Sequence, residues 1–465
     1  MLYHGVYGKV RMMQLLTRSK SRIESIYDKI KGQILSVEER FEKYNTLIYW
    51  TGILLYRVIL DIVYATVISP VYAYADFTLA PNLVRYMLSW LFTLVIALFS
   101  QFLLRQKHVS SYLIFLFDLI YFLPLQTMYG LRGLDIVFYL GAMVYWALLT
   151  VLQGKIPVIK LAPPKFGTKI MFTAMAGICA VFVLYISWRY TGFRLIFRLN
   201  DVYRWRSEAA AYSMPSLFRY FFSMTSTAIP LFMVYAFQKR KYIWTAVLFA
   251  VEYLHFSVDG SKSTVFYLAM VIVGYLFFHS RRSKWLPWAL FAVGGAGCAE
   301  SLLNGTQYII SYFYRRVMMI PVLLSSYYFD YFTQHPIDFL RGGILRRVGL
   351  QSPYSGNIPK MIGWLYENVD TAANNGLLGD AFFCFGLAGV VLMPIILILC
   401  FRLLDACTEG LHSNITFGIC IYFAISFTNS NWSTILLTHG LLFVCLILYL
   451  WPRDVLQRKE VCYGE

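Results

Sequence analysis

Charge is what this chain has least of. Only 14% of its 465 residues are Asp, Glu, Lys or Arg, whereas 59% are hydrophobic and the mean hydropathy is +0.59. A soluble fold could not hide that much apolar surface, so a water-soluble globular protein is excluded. Paired acids are missing as well: no Asp-x-Asp or Glu-x-Asp occurs anywhere. Closely spaced carboxylates are the usual way to hold a divalent cation, so the expectation is a chemistry without metal or cofactor. The eight cysteines contain no Cys-x-x-Cys. Cys179, Cys298, Cys384, Cys400, Cys420 and Cys445 fall in apolar runs and read as buried thiols, with Cys407 and Cys462 in cytosolic segments. No apolar h-region precedes about Leu47, so no cleavable signal peptide is expected. Internal repeats, the mark of many transporters, are absent.

What is present is a series of apolar runs of bilayer length. They predict an all-α polytopic membrane protein with about twelve spans, at 46–68, 83–104, 111–128, 134–153, 170–188, 218–237, 242–256, 264–279, 285–303, 383–402, 414–428 and 434–451. The domain reading follows: a basic segment 1–45, spans one to nine over 46–303 with an Arg-rich segment 189–217, a long outer loop 304–382, spans ten to twelve over 383–451, and a tail 452–465. In the first segment Ile23, Ile26, Ile30, Ile34, Val37 and Phe41 recur at helical spacing among Lys and Arg, with Ser36-Val37-Glu38-Glu39 as a capping box. This reads as an amphipathic helix on the cytoplasmic lipid surface; a partner-binding helix is the alternative.

Orientation comes from the basic residues. Arg105 and Lys107, Lys155 to Lys169, Lys239-Arg240-Lys241, Arg281-Arg282 with Lys284, and Arg453 to Lys459 share one side. The positive-inside rule places that side, and both termini, in the cytosol. The other side carries Arg132, Arg189, Arg194, Arg198, Arg204, Arg206, Arg315, Arg316, Arg341, Arg346 and Arg347, but only Lys262 and Lys360. Guanidinium binds phosphate through a planar fork and does not deprotonate. Outer arginines in this number point to a phosphate or diphosphate ligand, such as a lipid-linked one; contact with anionic headgroups is the bland reading of any single arginine.

Within the spans, Arg57 and Asp61 stand four apart on one helix face and are expected to neutralise each other. Asp118 and Glu252 are further acids at membrane depth; such acids can relay protons, as in a transporter, but scattered and without a His chain they read first as structural. Gly294-Gly295-Ala296-Gly297 is a small-residue stripe suited to close helix packing.

The outer segments supply the chemistry. Arginines can stabilise a departing diphosphate without metal, an effect worth about 3 kcal/mol or more. The candidates for a base are His335, Glu367, Asp370 and Asp380, and the residues alone do not choose among them; Asp380 is equally placed to cap the following helix. Gly260-Ser261-Lys262-Ser263 lacks the leading glycine and strand–loop–helix setting of a nucleotide P-loop, so a nucleotide is excluded there, though Lys262 suits a phosphate or a stable turn.

Several patches resemble the Wzy-type oligosaccharide repeat-unit polymerases of bacterial O-antigens and capsules. One is Tyr314-Arg315-Arg316-Val317 with Pro321 and the Tyr327–Phe332 aromatic run containing Asp330. Another is Asn375-Gly376-Leu377-Leu378-Gly379-Asp380-Ala381-Phe382, followed by Phe385-Gly386 and Gly389. Asp61, Tyr64 and Ser69-Pro70, Val202-Tyr203-Arg204-Trp205-Arg206 and Gly260–Ser263 are similar too, so the likeness covers residues 46–405 in patches.

The resemblance implies a GT-C-like membrane glycosyltransferase of the bacterial cytoplasmic membrane. It would move a growing glycan from undecaprenyl diphosphate onto the next undecaprenyl-diphosphate-linked repeat unit. It implies catalytic roles for Arg316, Arg346 and Asp380, and His335, from the residue reading, is kept beside them as a catalytic candidate. It also implies roles for Arg206, Arg341 and Lys262, which with Arg315, Arg347, Asn375 and Asp330 make the expected substrate-binding set, with no metal. Implied partners are the lipid-linked donor and acceptor, membrane lipids, and a chain-length regulator and flippase of the same pathway, with no nucleic acid. The chain departs from the pattern in its doubled arginines at 315–316 and 346–347 and in its basic N-terminal segment. Ligases that hand finished chains to another acceptor, and flippases of lipid-linked oligosaccharides, are the competing readings.

Overall fold

A computed structural model describes residues 44–106, 108–162, 168–196, 202–278, 280–342, 345, 349–368, 372–374 and 376–453. The expected amphipathic segment, Cys462, Arg346, Arg347, Asp370 and Asn375 lie outside the described residues. Every regular element among the described residues is helical. In order they are α1 (Asn45–Ala75), α2 (Leu83–Arg105), α3 (Val109–Leu131), α4 (Ile136–Lys155), α5 (Thr168–Thr191) and α6 (Val202–Ala210). There follow α7 (Ser216–Gln238), α8 (Tyr242–Asp259), α9 (Lys262–Phe277) and α10 (Leu286–Asn304). Next, α11 runs from Ile310–Met319, coiled more widely than an α-helix, into Ile320–Phe332. The last are α12 (Ile358–Glu367), α13 (Leu377–Phe385), α14 (Gly389–Thr408), α15 (Ser413–Asn429), α16 (Trp432–Leu437) and α17 (Leu441–Tyr449).

Helices stand at all twelve positions expected of spans. Nine segments among the described residues are long and apolar enough to cross a membrane: α1 to α5, α7, α10 with its lead-in, the α13–α14 pair and the α16–α17 pair. The other three, α8, α9 and α15, have 18, 16 and 17 residues. Polar residues mark where helices begin. Asn82 accepts from the Val84 and Arg85 amides at 3.0 and 3.2 Å, and Asp135 from Val137 and Phe138 at 2.7 and 3.0 Å, satisfying first-turn donors.

The two ends of the bundle are distinguished by which segments meet there. At one, Asn45 bonds Lys284, Ser110 bonds Asp405, Tyr449 reaches the Ala162 carbonyl at 2.8 Å, and Arg453 reaches Glu409 at 3.0 Å. Both described chain ends lie at this terminal end. At the other, the loop end, Arg132 pairs with Asp76, Tyr72 bonds Ser311 at 2.9 Å, and the Trp432 amide bonds Asp380 at 2.8 Å.

At the centre is α3, whose apolar window is buried at every position. Most of its polar side chains are accordingly matched by neighbours. Asp118 accepts from Trp146 Nε1 at 2.8 Å and from the Ser100 hydroxyl. The Ser110 amide and hydroxyl donate to Asp405 at 2.8 and 2.6 Å. Gln126 accepts from Tyr139 at 2.6 Å, and Thr127 from Arg57 at 2.8 Å. Arg57 also forms the expected ion pair with Asp61, donates to Ser89 at 3.1 Å, and lies over the Trp90 ring at 5.1 Å.

Small residues bring backbones together elsewhere. A Cβ on Gly294 would fall 2.5 Å from the Tyr314 hydroxyl, and one on Gly297 would fall 2.7 Å from Ile310, so the expected glycine stripe seats α11 against α10.

Two expectations change. Residues 304–382 are not a continuous polar loop. Their first third is α11, in which Pro321 to Phe329 are all buried against α3 and α13. The polar loop proper begins at Thr333. Cys407, expected in a cytosolic segment, is instead buried as the penultimate residue of α14.

Arg57 sits in the interior with a counter-ion, so removing one partner strands the other. Arg57→Met is expected to cost about 3–5 kcal/mol. Adding Asp61→Leu should restore most of that. Thermal unfolding of the detergent-solubilised protein reads both.

Candidate functional site

The polar chemistry of the loop end divides into three groups. The first surrounds a cavity of about 610 Å³ between the Asp338–Pro359 loop, α13 and the α15–α16 turn. Its wall includes Asp380, Asp338, Tyr328, Tyr354, Asn431 and Trp432. Asp380 is 2% exposed, yet it does not cap its own helix, which starts at Gly376 without a side-chain cap. It accepts instead from the Trp432 amide in the first turn of α16, with its other oxygen 3.4 Å from Cys384 Sγ one turn along. Glycine makes this possible. A Cβ on Gly376 would sit 2.1 Å from the Phe427 carbonyl oxygen, and one on Gly389 would sit 2.1 Å from the Ala381 carbonyl oxygen. Any side chain at either position would push α13 away from the elements that hold Asp380.

The opposite wall is a loop tied to α13 by its backbone. The amides of Asp338 and Phe339 donate to the Phe383 and Cys384 carbonyls at 3.0 and 2.9 Å. The fully buried Asp338 carboxylate accepts from the Gly342 amide at 2.8 Å and from Ser352 at 2.6 Å. Phe339 and Leu340 both adopt left-handed backbone, with φ of 51 and 63. Two consecutive non-glycine residues in that region store strain, and such strain collects at functional sites.

The second group faces α1 and the α3–α4 turn. Asp76 pairs with Arg132 and accepts from Tyr327 at 3.2 Å, and Tyr327 stacks on Tyr366 at 4.6 Å. Arg315 lies 4.1 Å over the Tyr72 ring, and Arg316 is exposed beside it. Burial pushes the Glu367 carboxyl above its usual range, against the pull of Arg315 and Arg316 and with Asp76 adding to the rise. Burial likewise raises Asp330, which Asp135 and Asp76 push further while Arg132 opposes.

The third group is the α6 face. Arg194 pairs with Glu208 at 3.1 Å, and Trp205 is sandwiched by Arg194 and Arg204 at 3.6 and 4.7 Å. α6 crosses the α8–α9 turn, where left-handed Gly260 (φ 62) leaves room for the Arg206 stem. Arg206 and Lys262 are exposed there.

Comparisons of the chain with protein-family models, curated proteins and solved structures return no match.

The structure separates the expected site residues. Among the described residues Asp380 lines the cavity, and no Arg or Lys does. Arg315, Arg316 and Asp330 belong to the second group, and Arg206 and Lys262 to the third. His335 is exposed, stacked on Tyr331 at 4.0 Å with Nδ1 2.9 Å from the Tyr331 carbonyl, and it does not line the cavity. Arg341 spends Nε and one terminal nitrogen on the Asp338 and Ile337 carbonyls at 2.7 and 2.8 Å, which makes it a clamp of the cavity loop.

Asp338, Tyr354, Asn431 and Trp432 escaped the sequence reading as site residues. The signal was present in Asn429-Ser430-Asn431-Trp432-Ser433, a polar interruption between two apolar runs. Chemically, the cavity offers two buried carboxylates, Asp380 and Asp338, uncharged hydrogen-bonding groups and aromatic rings. That set suits an uncharged hydroxyl-rich ligand, with Asp380 placed to take a hydroxyl proton.

Gly376→Ala is expected to lower stability by about 1–3 kcal/mol, because the methyl group meets backbone that cannot yield. Gly356→Ala, at a position with open space around it, should be near neutral. Equal melting temperatures for the two variants would mean that α13 does not need this close approach.

Proposed function

We propose that this protein is a membrane glycosyltransferase of the repeat-unit polymerase type, with its loop end at the outer face of the bacterial cytoplasmic membrane. In this reading the growing glycan leaves undecaprenyl diphosphate and is joined to a hydroxyl of the next lipid-linked repeat unit. The observation that carries it is Asp380, a carboxylate buried in the wall of a polar and aromatic cavity at the end of the bundle that also bears the arginines.

Roles divide along α12. Its first turn, at Ile358 and Pro359, lines the cavity, whereas Glu367 at its far end lies under the influence of Arg315 and Arg316. Ten helical residues span about 15 Å, a length suited to a few sugar units. The cavity then holds glycan, with Asp380 as base towards the acceptor hydroxyl. Arg316, assisted by Arg315, meets the departing diphosphate. Cationic stabilisation of that leaving group needs donors fixed in advance, and the stack of Arg315 on Tyr72 supplies such fixing on its side. The twelve-span count, the cytosolic placement of both termini and the GT-C-like assignment belong to the same proposal.

The test is a deletion strain complemented with wild type, Arg316→Ala, Arg316→Lys or Asp380→Asn, with lipid-linked glycans extracted and sized. Arg316→Ala and Asp380→Asn should leave single repeat units and lose about a hundredfold or more in chain extension, at unchanged protein level. Arg316→Lys should also be impaired, since the charge remains but the fork is lost. Full activity of the Lys variant would overturn the bidentate role. Long lipid-linked chains that never reach a final acceptor would identify a ligase, and repeat units held on the cytosolic leaflet a flippase.

A further inference from the structure

Three acids were expected at membrane depth, and the structure treats one of them differently. Asp61 has Arg57, and Asp118 has Trp146 and Ser100. Glu252 of α8 is 1% exposed, and neither of its carboxylate oxygens has a hydrogen-bond partner among the described residues. The same holds for Nδ1 of His255, one turn along, and for the hydroxyl of Tyr267 in α9. The other ring nitrogen of His255 lies 2.8 Å from the Phe222 carbonyl, and the ring stacks on Phe222.

The groups within electrostatic reach of Glu252 are Asp259 on its own helix and Tyr267. α5 and α7, also packed on α8, bring it no hydrogen-bonded cation. Arg206, from α6, acts on Asp259. An ionised carboxylate left without donor or counter-ion in the interior of a membrane bundle is costly, and a bound proton removes the cost.

Polar side chains stand between this site and the cavity, hydrogen-bonded to one another from Tyr422 onward. Tyr267 lies within electrostatic reach of both Glu252 and Tyr422 of α15, and the two tyrosine rings are 4.3 Å apart. The Tyr422 hydroxyl is 3.0 Å from Nδ1 of His439, whose Nε2 is 3.3 Å from the Ser430 hydroxyl. His439 stands in the break between α16 and α17, beside left-handed Gly440 (φ 76). Breaks in spanning helices free backbone groups that need partners, and they mark functional positions. Ser430 immediately precedes Asn431 and Trp432 of the cavity wall.

We propose that Glu252 holds an exchangeable proton inside the bundle, and that Tyr422, His439 and Ser430 form the hydrogen-bonded part of its route to the cavity containing Asp380, with water carrying the proton across the unbonded stretch beside Tyr267. Each group releases its own proton as it accepts the next. Only O–H and N–H bonds are made and broken, and no electrons are transferred. The inference does not depend on the glycosyl-transfer reading.

The test uses the full chain in lipid vesicles, followed by infrared spectroscopy during exchange from H2O to D2O. A protonated-carboxyl band is expected in the wild type and is absent from Glu252→Gln, which keeps the side-chain shape. Its exchange should slow by about tenfold or more in both Tyr422→Phe and His439→Gln, while their melting temperatures stay near wild type. Two results would overturn loading by a proton: no band removed by Glu252→Gln, or a band that appears only when sodium is withheld. Equal exchange rates in wild type and both variants would overturn the route.

Discussion

A helix with no exposed face must have each of its polar groups answered by a neighbour, and α3 imposes that condition on the rest of the bundle. Asp118, Ser110, Ser111, Gln126 and Thr127 are each met by a specific side chain from α1, α2, α4 or α14. In lipid there is no water to accept a misplaced donor, so these bonds admit few alternative arrangements. Apolar packing alone would let helices slide or rotate against α3. The polar matches fix depth and rotation, and thereby fix which residues of each helix emerge at the loop end.

What emerges there is divided by α11 and α12. Two neighbours in the α11 aromatic run face opposite ways: Tyr327 towards Asp76, and Tyr328 into the cavity wall. Consecutive residues on a helix point about 100° apart, so one aromatic run serves two groups of different character. The arginine-rich side is suited to anions, and the cavity, without Arg or Lys among the described residues, to uncharged polar groups. The proposed transfer of a glycan from a diphosphate would use both environments, kept apart.

Glu252 stands outside this economy. Among the described residues the acids around α3 have donors, whereas Glu252 of α8 has none. Evolution tolerates such a group where its protonation is of use, and the break at His439 lies on the line between that group and the cavity.

Much of this was legible in the sequence. Bilayer-length apolar runs, the Arg57–Asp61 spacing and the glycine stripe each depend on local periodicity, which a helix preserves. The basic-residue bias likewise grouped the inter-helix segments, and Tyr44 and Arg453 do lie at one end. Asp380 stood out because glycines flank it, although the reason for those glycines, contact with the α15 terminus and with Ala381, is tertiary.

The rest depended on contacts distant in sequence. The burial of α11 was hidden by its mixed composition, since Arg315, Arg316 and Asp330 make residues 310–332 look like loop. Trp432 is 52 residues from the carboxylate that accepts its amide proton. Sequence therefore determined that this chain is a helical membrane protein whose loop end carries arginine with almost no lysine. Only the tertiary structure decided that Asp380 and Arg316 occupy different environments, because side-chain direction follows from helix rotation, and helix rotation is set by partners elsewhere in the chain.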